Sequence, residues 1–305
     1  MVTEKKKEAV KETPKELAVF LKEPNHIQKF IDVSPDPKSA YQYVQSALIA
    51  VGDSEALREC THASIFQAAL RAASLGLSCD PAMKQAWIVP YNKKIKGKNG
   101  KGDTWVKVAQ FQPHYMGLYN LAMRTGKYLQ INVSPILEGE RVFEDVLTGL
   151  HAIKMGNTMT EPSSYNSAYA RDVTVRRGEK DTKIIGWIGY FKTKNGFQKS
   201  VYMSVDEIEE HAAKYVKDYL DEKGRIQNPN WKDPVKRKVM EMKTVLKALL
   251  NFADKSGTVE HSEDLNKALK IDNGEEVVDA VTVIDNETGE VLPEQTSEVK
   301  QEETK

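Results

Sequence analysis

Residues able to bind a nucleic-acid strand are concentrated between Lys84 and Lys127. This stretch holds nine Lys or Arg residues against one acid, Asp103, and it interleaves them with tryptophan, tyrosine and phenylalanine. Cations neutralise backbone phosphates, and an aromatic ring stacked on a base contributes about 1–3 kcal/mol. Single lysines are often only solvated and single aromatics often lie in a core, so the clustering carries the interpretation. The composition predicts binding of single-stranded nucleic acid.

A second cationic stretch lies between Val235 and Phe252. Its apolar residues recur at helical spacing on one side, at Val239, Met242, Leu246 and Leu249. A single acid, Glu241, accompanies five cations: Lys236, Arg237, Lys238, Lys243 and Lys247. Solvated helices usually mix both signs to gain pairs four residues apart, so one sign indicates a polyanion or an acidic partner. Lys192 and Lys194, beside the Asn195-Gly196 turn, either extend this surface or solvate the turn.

Motifs for catalysis and metal binding are incomplete. The glycine-rich segment 97–102 resembles a phosphate loop, but Asp103 stands where lysine is needed and a strand follows instead of a helix. Paired zinc-ligand spacing is lacking among Cys60, His62, Cys79 and His114. No companion acid motif accompanies the carboxylates suited to magnesium, Glu138, Glu140, Glu144 and Asp145. We expect a protein that is not an enzyme, with no metal and no cofactor; a metal-dependent nuclease is the alternative.

The overall charge of zero conceals a division along the chain. Of 44 acids and 44 bases, residues 258–305 hold 14 acids but 4 bases, so a basic body precedes an acidic end. No apolar run reaches the roughly 20 residues of a membrane span, and the N-terminus lacks the apolar core of a signal peptide. The two cysteines form no CxxC pair. These features predict a cytoplasmic protein with no membrane partner.

Helical periodicity predicts three helices before the first cationic stretch. They contain Leu17 to Leu21 behind Pro14, Ala40 to Val51 behind Pro37, and Ile65 to Ala72 between Thr61 and Gly76. Two strands, Ala86 to Val89 and Trp105 to Ala109, then form a hairpin, and Pro113 opens a helix that Gly126 closes.

Four further strands are predicted from β-branched and aromatic runs: Tyr128 to Val133, Tyr169 to Val175, Ile184 to Thr193 and Phe197 to Met203. Ser204 and Glu207 match a capping box, which predicts a helix to about Tyr219. The fold class is therefore α+β, with a mixed, largely antiparallel sheet. We expect a flexible segment over 1–13, a core over 14–257 that binds DNA and oligomerises, and an acidic, mostly disordered tail over 258–305.

The order of these segments resembles the RecT family of phage and prophage recombinases, which anneal complementary single strands without ATP. The most recognisable blocks are Leu75 to Pro81, Ala86 to Tyr91, Phe111 to Leu118 and Ala122 to Gly126. Tyr202 to Ile208 and Val239 to Leu249 are also similar to the family, so the resemblance covers roughly Leu17 to Phe252. The segment from Ile95 to Asp103 departs from it as an insertion.

The resemblance implies single-strand annealing in phage-type homologous recombination inside a bacterial host cell. It also implies a compact core with a nucleic-acid groove, no active site, homo-oligomers in rings or helical filaments, an annealed duplex intermediate, and partners such as an exonuclease and a host single-strand-binding protein. Together with Lys192 and Lys194, the positions assigned to the groove are Lys107, Gln110, Gln112, His114, Tyr115, Arg124, Lys127, Lys236, Arg237, Lys243 and Lys247. An architectural protein that binds duplex DNA is a further alternative.

Overall fold

The computed structural model describes residues 14–95, 104–155, 183–216, 218–257, 259 and 262–273. The chain divides into two compact units, residues 1–114 with 270–305 and residues 115–269. Helices and antiparallel strands in these units confirm the predicted α+β class. The described strands form one three-stranded and two two-stranded sheets instead of a single mixed sheet. The predicted strand 169–175 and the hairpin loop 96–103 lie outside the described residues.

The first unit combines helices with one β-hairpin. Its elements are α1 Pro14–Leu21, α2 Pro24–Val33, a 3-10 turn Pro37–Ser39, α3 Ala40–Gly52, α4 Glu55–Arg58, α5 His62–Ser74, β1 Ala86–Ile95 and β2 Thr104–Pro113. The three predicted helices correspond to α1, α3 and α5. Helices α2 and α4 were not predicted, and α4, with four residues, offers too few turns to show a period.

Helix α5 anchors the hairpin of the first unit. Its N-cap, Thr61, accepts a hydrogen bond from the Ser64 N–H, and just beyond its last residue Gly76 adopts a positive φ of 61°. Ser64 also accepts a hydrogen bond from the Ala109 N–H at 2.9 Å through its hydroxyl. On the other side of the helix bundle, the rings of Phe30 and Phe66 meet edge to face at 5.5 Å. The hairpin is therefore held at β2 by the Ser64 hydroxyl and by the hydrogen bond that the Thr61 N–H donates to the Lys107 carbonyl at 3.2 Å.

The second unit contains the larger sheet and the longest helix. Its elements are α6 Tyr115–Arg124, β3 Tyr128–Leu137, β4 Glu140–Glu144, β5 His151–Met155, β6 Ile184–Thr193, β7 Gln198–Ser204, α7 Val205–Tyr215, α8 Pro229–Lys232 and α9 Pro234–Lys255. Strand order is β3-β6-β7, and β4 pairs separately with β5. A last helix, α10 Glu263–Asn273, follows. No helix among the described residues is long and apolar enough to cross a membrane.

Helix α9 lies across one face of the three-stranded sheet. A Cβ atom on Gly189 would approach Val245 Cγ1 to 3.2 Å and Leu249 Cδ2 to 3.3 Å, so glycine permits the close approach. Trp187 on β6 and Val245 on α9 join a buried cluster with Trp231. The buried apolar side of α9 centres on Val245, Leu246, Leu249 and Leu250, whereas the predicted Val239 and Met242 are half-buried.

One helix boundary and one segment of the tail differ from the sequence interpretation. The capping box is confirmed, because the Ser204 N–H donates to Glu207 Oε2 at 2.7 Å and the Glu207 N–H donates to Ser204 Oγ at 3.2 Å. Helix α7 nevertheless ends at Tyr215, since Val216 is extended with φ −90° and ψ 119°. The tail that we expect to be mostly disordered, residues 258–305, contains one ordered helix near its start, α10, which buries Leu265 and Ala268.

Candidate nucleic-acid interface

The β1–β2 hairpin positions three of the predicted DNA contacts. Successive side chains of a strand point to opposite faces, so Lys107 shares a face with the buried Ala109 and Phe111, whereas Gln110 and Gln112 lie on the other. Across the hairpin, Gln110 pairs with Val89 and Gln112 pairs with Trp87. The three predicted contacts on β2 are therefore divided between two faces.

Lys107 carries a carboxylate partner within the first unit. Its ammonium forms a salt bridge with Glu59, and the two side chains are 40% and 43% exposed. The hydrogen bond that Lys107 donates to Glu59 raises the pKa of Lys107, so the ammonium stays charged while its charge is balanced locally. A phosphate must compete with Glu59 for this lysine.

The face that carries Gln110 and Gln112 combines amides with aromatic rings. Gln112 Nε2 donates to the Tyr91 hydroxyl at 2.6 Å, and Trp87 is 37% exposed. His114 is 6% exposed and meets the Trp87 ring edge to face at 5.5 Å. Its burial leaves His114 little surface for DNA, so we assign it the role of supporting Trp87. The alternation of β1 places Trp87, Val89 and Tyr91 on one face, and the register of the hairpin then sets Trp87 opposite Gln112.

A cluster of cations meets at one end of the three-stranded sheet, and we call it the sheet-end cluster. Lys194, in the β6–β7 turn, donates its backbone N–H to the Lys127 carbonyl at 2.9 Å. Lys192 pairs with Gln130 across β6 and β3. Arg124 ends α6, and the Lys194 ammonium lies 4.0 Å from the Cβ position of Gly126. The cluster comprises Arg124, Lys127, Lys192 and Lys194, which sequence separates by up to 70 positions.

The end of α6 and the β6–β7 turn shape this cluster. Gly126 has a φ of 67° and Gly196 a φ of 92°, both in the left-handed region that glycine adopts without strain. Arg124, Lys127 and Lys194 are exposed, and Lys192 is half-buried. Tyr115, another predicted contact, is half-buried at the opposite end of α6.

The α9 cations differ in their surroundings. Lys236 and Lys238 are exposed in the first turns, whereas Lys243 and Lys247 are half-buried. Lys247 lies near His211 on α7, where burial first, and then the charges of Lys247 and Lys214, lower the histidine pKa. Helix geometry places Lys236, Lys243 and Lys247 on one side. That side is only partly open to a strand.

Arg237 is the α9 cation with the most contacts to acids. Its Nε donates to Glu241 Oε1 at 2.7 Å, and its terminal nitrogen forms a salt bridge with Glu209 on α7. Glu241 is 4% exposed and also accepts a hydrogen bond from Trp187 Nε1 at 2.8 Å. Burial acts to lower the pKa of Arg237, but the bonds to Glu241 and Glu209 outweigh it and raise the pKa. This network joins α9, α7 and the sheet, so we assign Arg237 a structural role.

The two cysteines considered for zinc, Cys60 and Cys79, are buried free thiols. Burial raises the pKa of Cys60 to about 11 and that of Cys79 to about 12, so both remain thiols near neutral pH. The described residues contain no group of three or more His, Cys, Asp or Glu side chains placed to hold a metal.

Comparison with known proteins decides the family. The RecT family matches residues 41–279, and YqaK of Bacillus subtilis (strain 168) is 32% identical over 232 residues, or 76% of this chain. The chain belongs to the RecT family. The aligned region spans 65% of the length of YqaK. The RecT match extends past the predicted limit at Phe252 and includes α10, so this helix is part of the family region.

Proposed function

We propose that this RecT-family protein binds single-stranded DNA and anneals complementary strands during phage-type recombination, without ATP and without a covalent reaction. The sheet-end cluster carries the proposal, because Lys127, Lys192 and Lys194 converge there from two separate segments. Family membership supports the same activity. Phosphates are the anions that such a cluster of lysines attracts.

Annealing requires that a bound strand keeps its base edges free. Contacts to phosphates hold the strand without using the Watson–Crick edges, so a second strand is able to test and form base pairs. Sequence specificity then resides in the two strands. Affinity falls with rising salt, since each neutralised phosphate releases counterions.

We also propose the assembly and partners that the resemblance implies. Copies of the chain form a ring or a helical filament along DNA in the cytoplasm of a bacterial host. The acidic residues 274–305, which hold ten acids and two bases, recruit an exonuclease or a host single-strand-binding protein. Deleting these residues while keeping α10 should abolish capture of the partner and leave annealing intact; unchanged capture would contradict the recruiting role.

A metal-dependent nuclease is less well supported by the carboxylates once considered for magnesium. Glu140 accepts a hydrogen bond from the Leu137 N–H at 2.7 Å. Backbone N–H groups of Leu147 and Thr148 donate to Asp145 and hold the pKa of this carboxyl below its ordinary value. Both carboxylates thus stabilise the turns that flank β4.

One gel assay separates the candidate functions. Two complementary labelled oligonucleotides are mixed with the protein, with and without ATP and with magnesium or a chelator. We expect faster formation of duplex in every condition, with all label retained. Magnesium-dependent loss of label would indicate a nuclease, and preferential binding of preformed duplex without faster pairing would indicate an architectural protein. Electron microscopy of the same mixtures tests for rings and filaments.

A further inference from the structure

We propose that one face of the three-stranded sheet in the second unit is a stacking platform for DNA bases, formed by Tyr190 and Tyr202. The inference rests on the proposed binding of single-stranded DNA and adds a base-contacting surface to it. Neither tyrosine was among the contacts predicted from the sequence.

The alternation of β6 identifies this face. Trp187 and Gly189 point towards α9, because Trp187 bonds to Glu241 and the Cβ position of Gly189 lies against Val245. The side chains of Ile188, Tyr190 and Lys192 therefore point to the opposite face. Their partners on β7 are, in order, Tyr202, Ser200 and Gln198. Strand β3 adds three polar side chains to the same face, Gln130, Asn132 and Ser134.

Both tyrosine rings are held in place before any ligand binds. A Cβ atom on Gly186 would lie 2.6 Å from Tyr202 Cε2 and 2.7 Å from its hydroxyl, so the glycine makes room for this ring over the neighbouring strand. The Tyr190 hydroxyl donates to Gln198 Oε1 at 2.6 Å. Both residues are half-buried and keep part of their surface exposed. Side chains that are already ordered lose little entropy on binding.

Charge favours a polyanion as the occupant of this face. Lys192 lies on it beside Tyr190, and Lys127 and Lys194 of the sheet-end cluster lie where β3 and β6 meet. At Tyr202 burial raises the pKa of the hydroxyl, and the negative charge of Glu207 raises it further. The cationic end is thus next to Tyr190 and the acidic end next to Tyr202. We expect Tyr190 to contribute more than Tyr202.

Stacking is compatible with annealing. A ring contacts the flat face of a base and leaves its hydrogen-bonding edge free, and every base has such a face. Tyr190 and Tyr202 are diagonal neighbours across β6 and β7, a relation that separates Cα atoms by roughly 7–8 Å. Between them, Ser200 is 2% exposed and accepts a hydrogen bond from the His151 N–H at 2.8 Å, so β5 covers the middle of this face. Each tyrosine is therefore able to take one base on its exposed side while the phosphates contact the sheet-end cluster.

The test pairs a change in the protein with a change in the DNA. Tyr190→Leu and Tyr202→Leu keep apolar bulk but remove the aromatic face, and Tyr190→Phe and Tyr202→Phe keep the face. Affinity is measured by fluorescence anisotropy for a normal oligonucleotide and for an abasic strand of equal length. We expect Tyr190→Leu to bind the normal strand about tenfold more weakly than the unmodified protein, and Tyr202→Leu to show a smaller loss. Binding of the abasic strand should not change, and the Phe variants should bind like the unmodified protein.

Controls separate this inference from the proposed function. Tyr215→Leu changes an exposed tyrosine of α7, and its binding should match the unmodified protein. If the unmodified protein does not bind single strands, the proposed function fails. If it binds them and the Leu variants weaken both strands equally or neither, the platform is overturned. If a Leu variant melts below the temperature of the binding assay, an iodouracil oligonucleotide is photocrosslinked to the unmodified protein instead. Adducts on Tyr190 or Tyr202 support the platform, and adducts only elsewhere refute it.

Discussion

Arg237 and the sheet-end cluster are cationic regions of the same unit with opposite surroundings. Arg237 binds two carboxylates, and its side chain is 25% exposed. In the cluster, Lys127 and Lys194 are exposed and a hydrogen bond between their main chains fixes their positions. The two regions looked equivalent in sequence, since both lie in lysine-rich segments. A cation's role follows from its partners in the fold more than from the charge of its neighbours along the chain.

The largest effect should follow from removing Arg237. Arg237→Ala leaves Glu241 buried without its cation, and breaking such a pair costs roughly 3 kcal/mol of unfolding free energy. Urea titration followed by circular dichroism measures this loss. Binding of DNA per folded molecule should remain unchanged, since the guanidinium faces Glu209 and Glu241.

A second variant checks the cause of that loss. Arg237→Met combined with Glu241→Gln removes both charges and leaves an amide that is able to accept from Trp187 Nε1. We expect this double variant to be more stable than Arg237→Ala. If the double variant is as unstable as Arg237→Ala, or if folded Arg237→Ala binds DNA more weakly, the distinction between Arg237 and the sheet-end cluster is lost.

The opposite outcome is expected for the sheet-end cluster. Replacing Lys127, Lys192 and Lys194 with Gln should leave unfolding nearly unchanged. It should flatten the plot of log affinity against log salt by about 2, because each phosphate contact on a single strand contributes about 0.7. Anisotropy titrations over a series of salt concentrations measure the slope.

A charge-matched variant provides the control for the cluster. Gln at the exposed lysines Lys223, Lys232 and Lys255 removes the same charge elsewhere in the unit. Its slope should match that of the unmodified protein. Equal slopes for both triple variants would mean that overall charge, and not the cluster, determines binding.

Lys107 tests the comparison in the first unit, because its carboxylate partner is exposed. Glu59→Gln should strengthen binding of single strands a few-fold at low salt, since it releases Lys107 from the salt bridge. Lys107→Gln on the Glu59→Gln background should cancel the gain. Asp53→Asn removes an equal charge from the same unit and should have a smaller effect. A gain that survives loss of Lys107 would exclude this lysine as a phosphate contact.

The smallest predicted effect concerns pH. Burial lowers the pKa of His151; the charge of Glu144 acts to raise this pKa and the charge of Lys199 to lower it. Burial also lowers the pKa of His211. The unfolded chain therefore takes up more protons than the folded one as pH falls through 6.5, and stability decreases in that window. Thermal melts at pH 7.5, 6.5 and 5.5 should show a declining Tm. His151→Asn with His211→Gln should reduce the decline, and an identical decline would assign it to other groups.

Local sequence signals predicted most of the long elements. Strand β6 was predicted with the boundaries it has, Ile184–Thr193, and the capping box of α7 was visible in Ser204 and Glu207. Both depend on residues within a few positions of each other. The end of α7 was misplaced because the apolar pattern continues past the helix as far as Tyr219. Tyr219 lies in an irregular segment and is buried in the cluster that contains Trp231.

The interface was less predictable because its partners are distant in sequence. Glu59 lies 48 positions from Lys107, and Glu209 lies 28 positions from Arg237, so neither pairing follows from composition. The Arg237–Glu241 pair has i,i+4 spacing and was available to sequence reasoning, which instead treated Glu241 as a lone acid. That the remaining cations contact DNA stays a prediction.

The hydrogen bond between the Lys194 N–H and the Lys127 carbonyl has a consequence for engineering. It uses main-chain atoms alone, so the spacing between the two positions does not depend on which side chains they carry. The backbone at positions 127 and 194 therefore stays in place when the two side chains are replaced. Arginine at both positions would alter the affinity for a bound strand. A photoreactive residue or a labelled thiol at both would report where that strand lies.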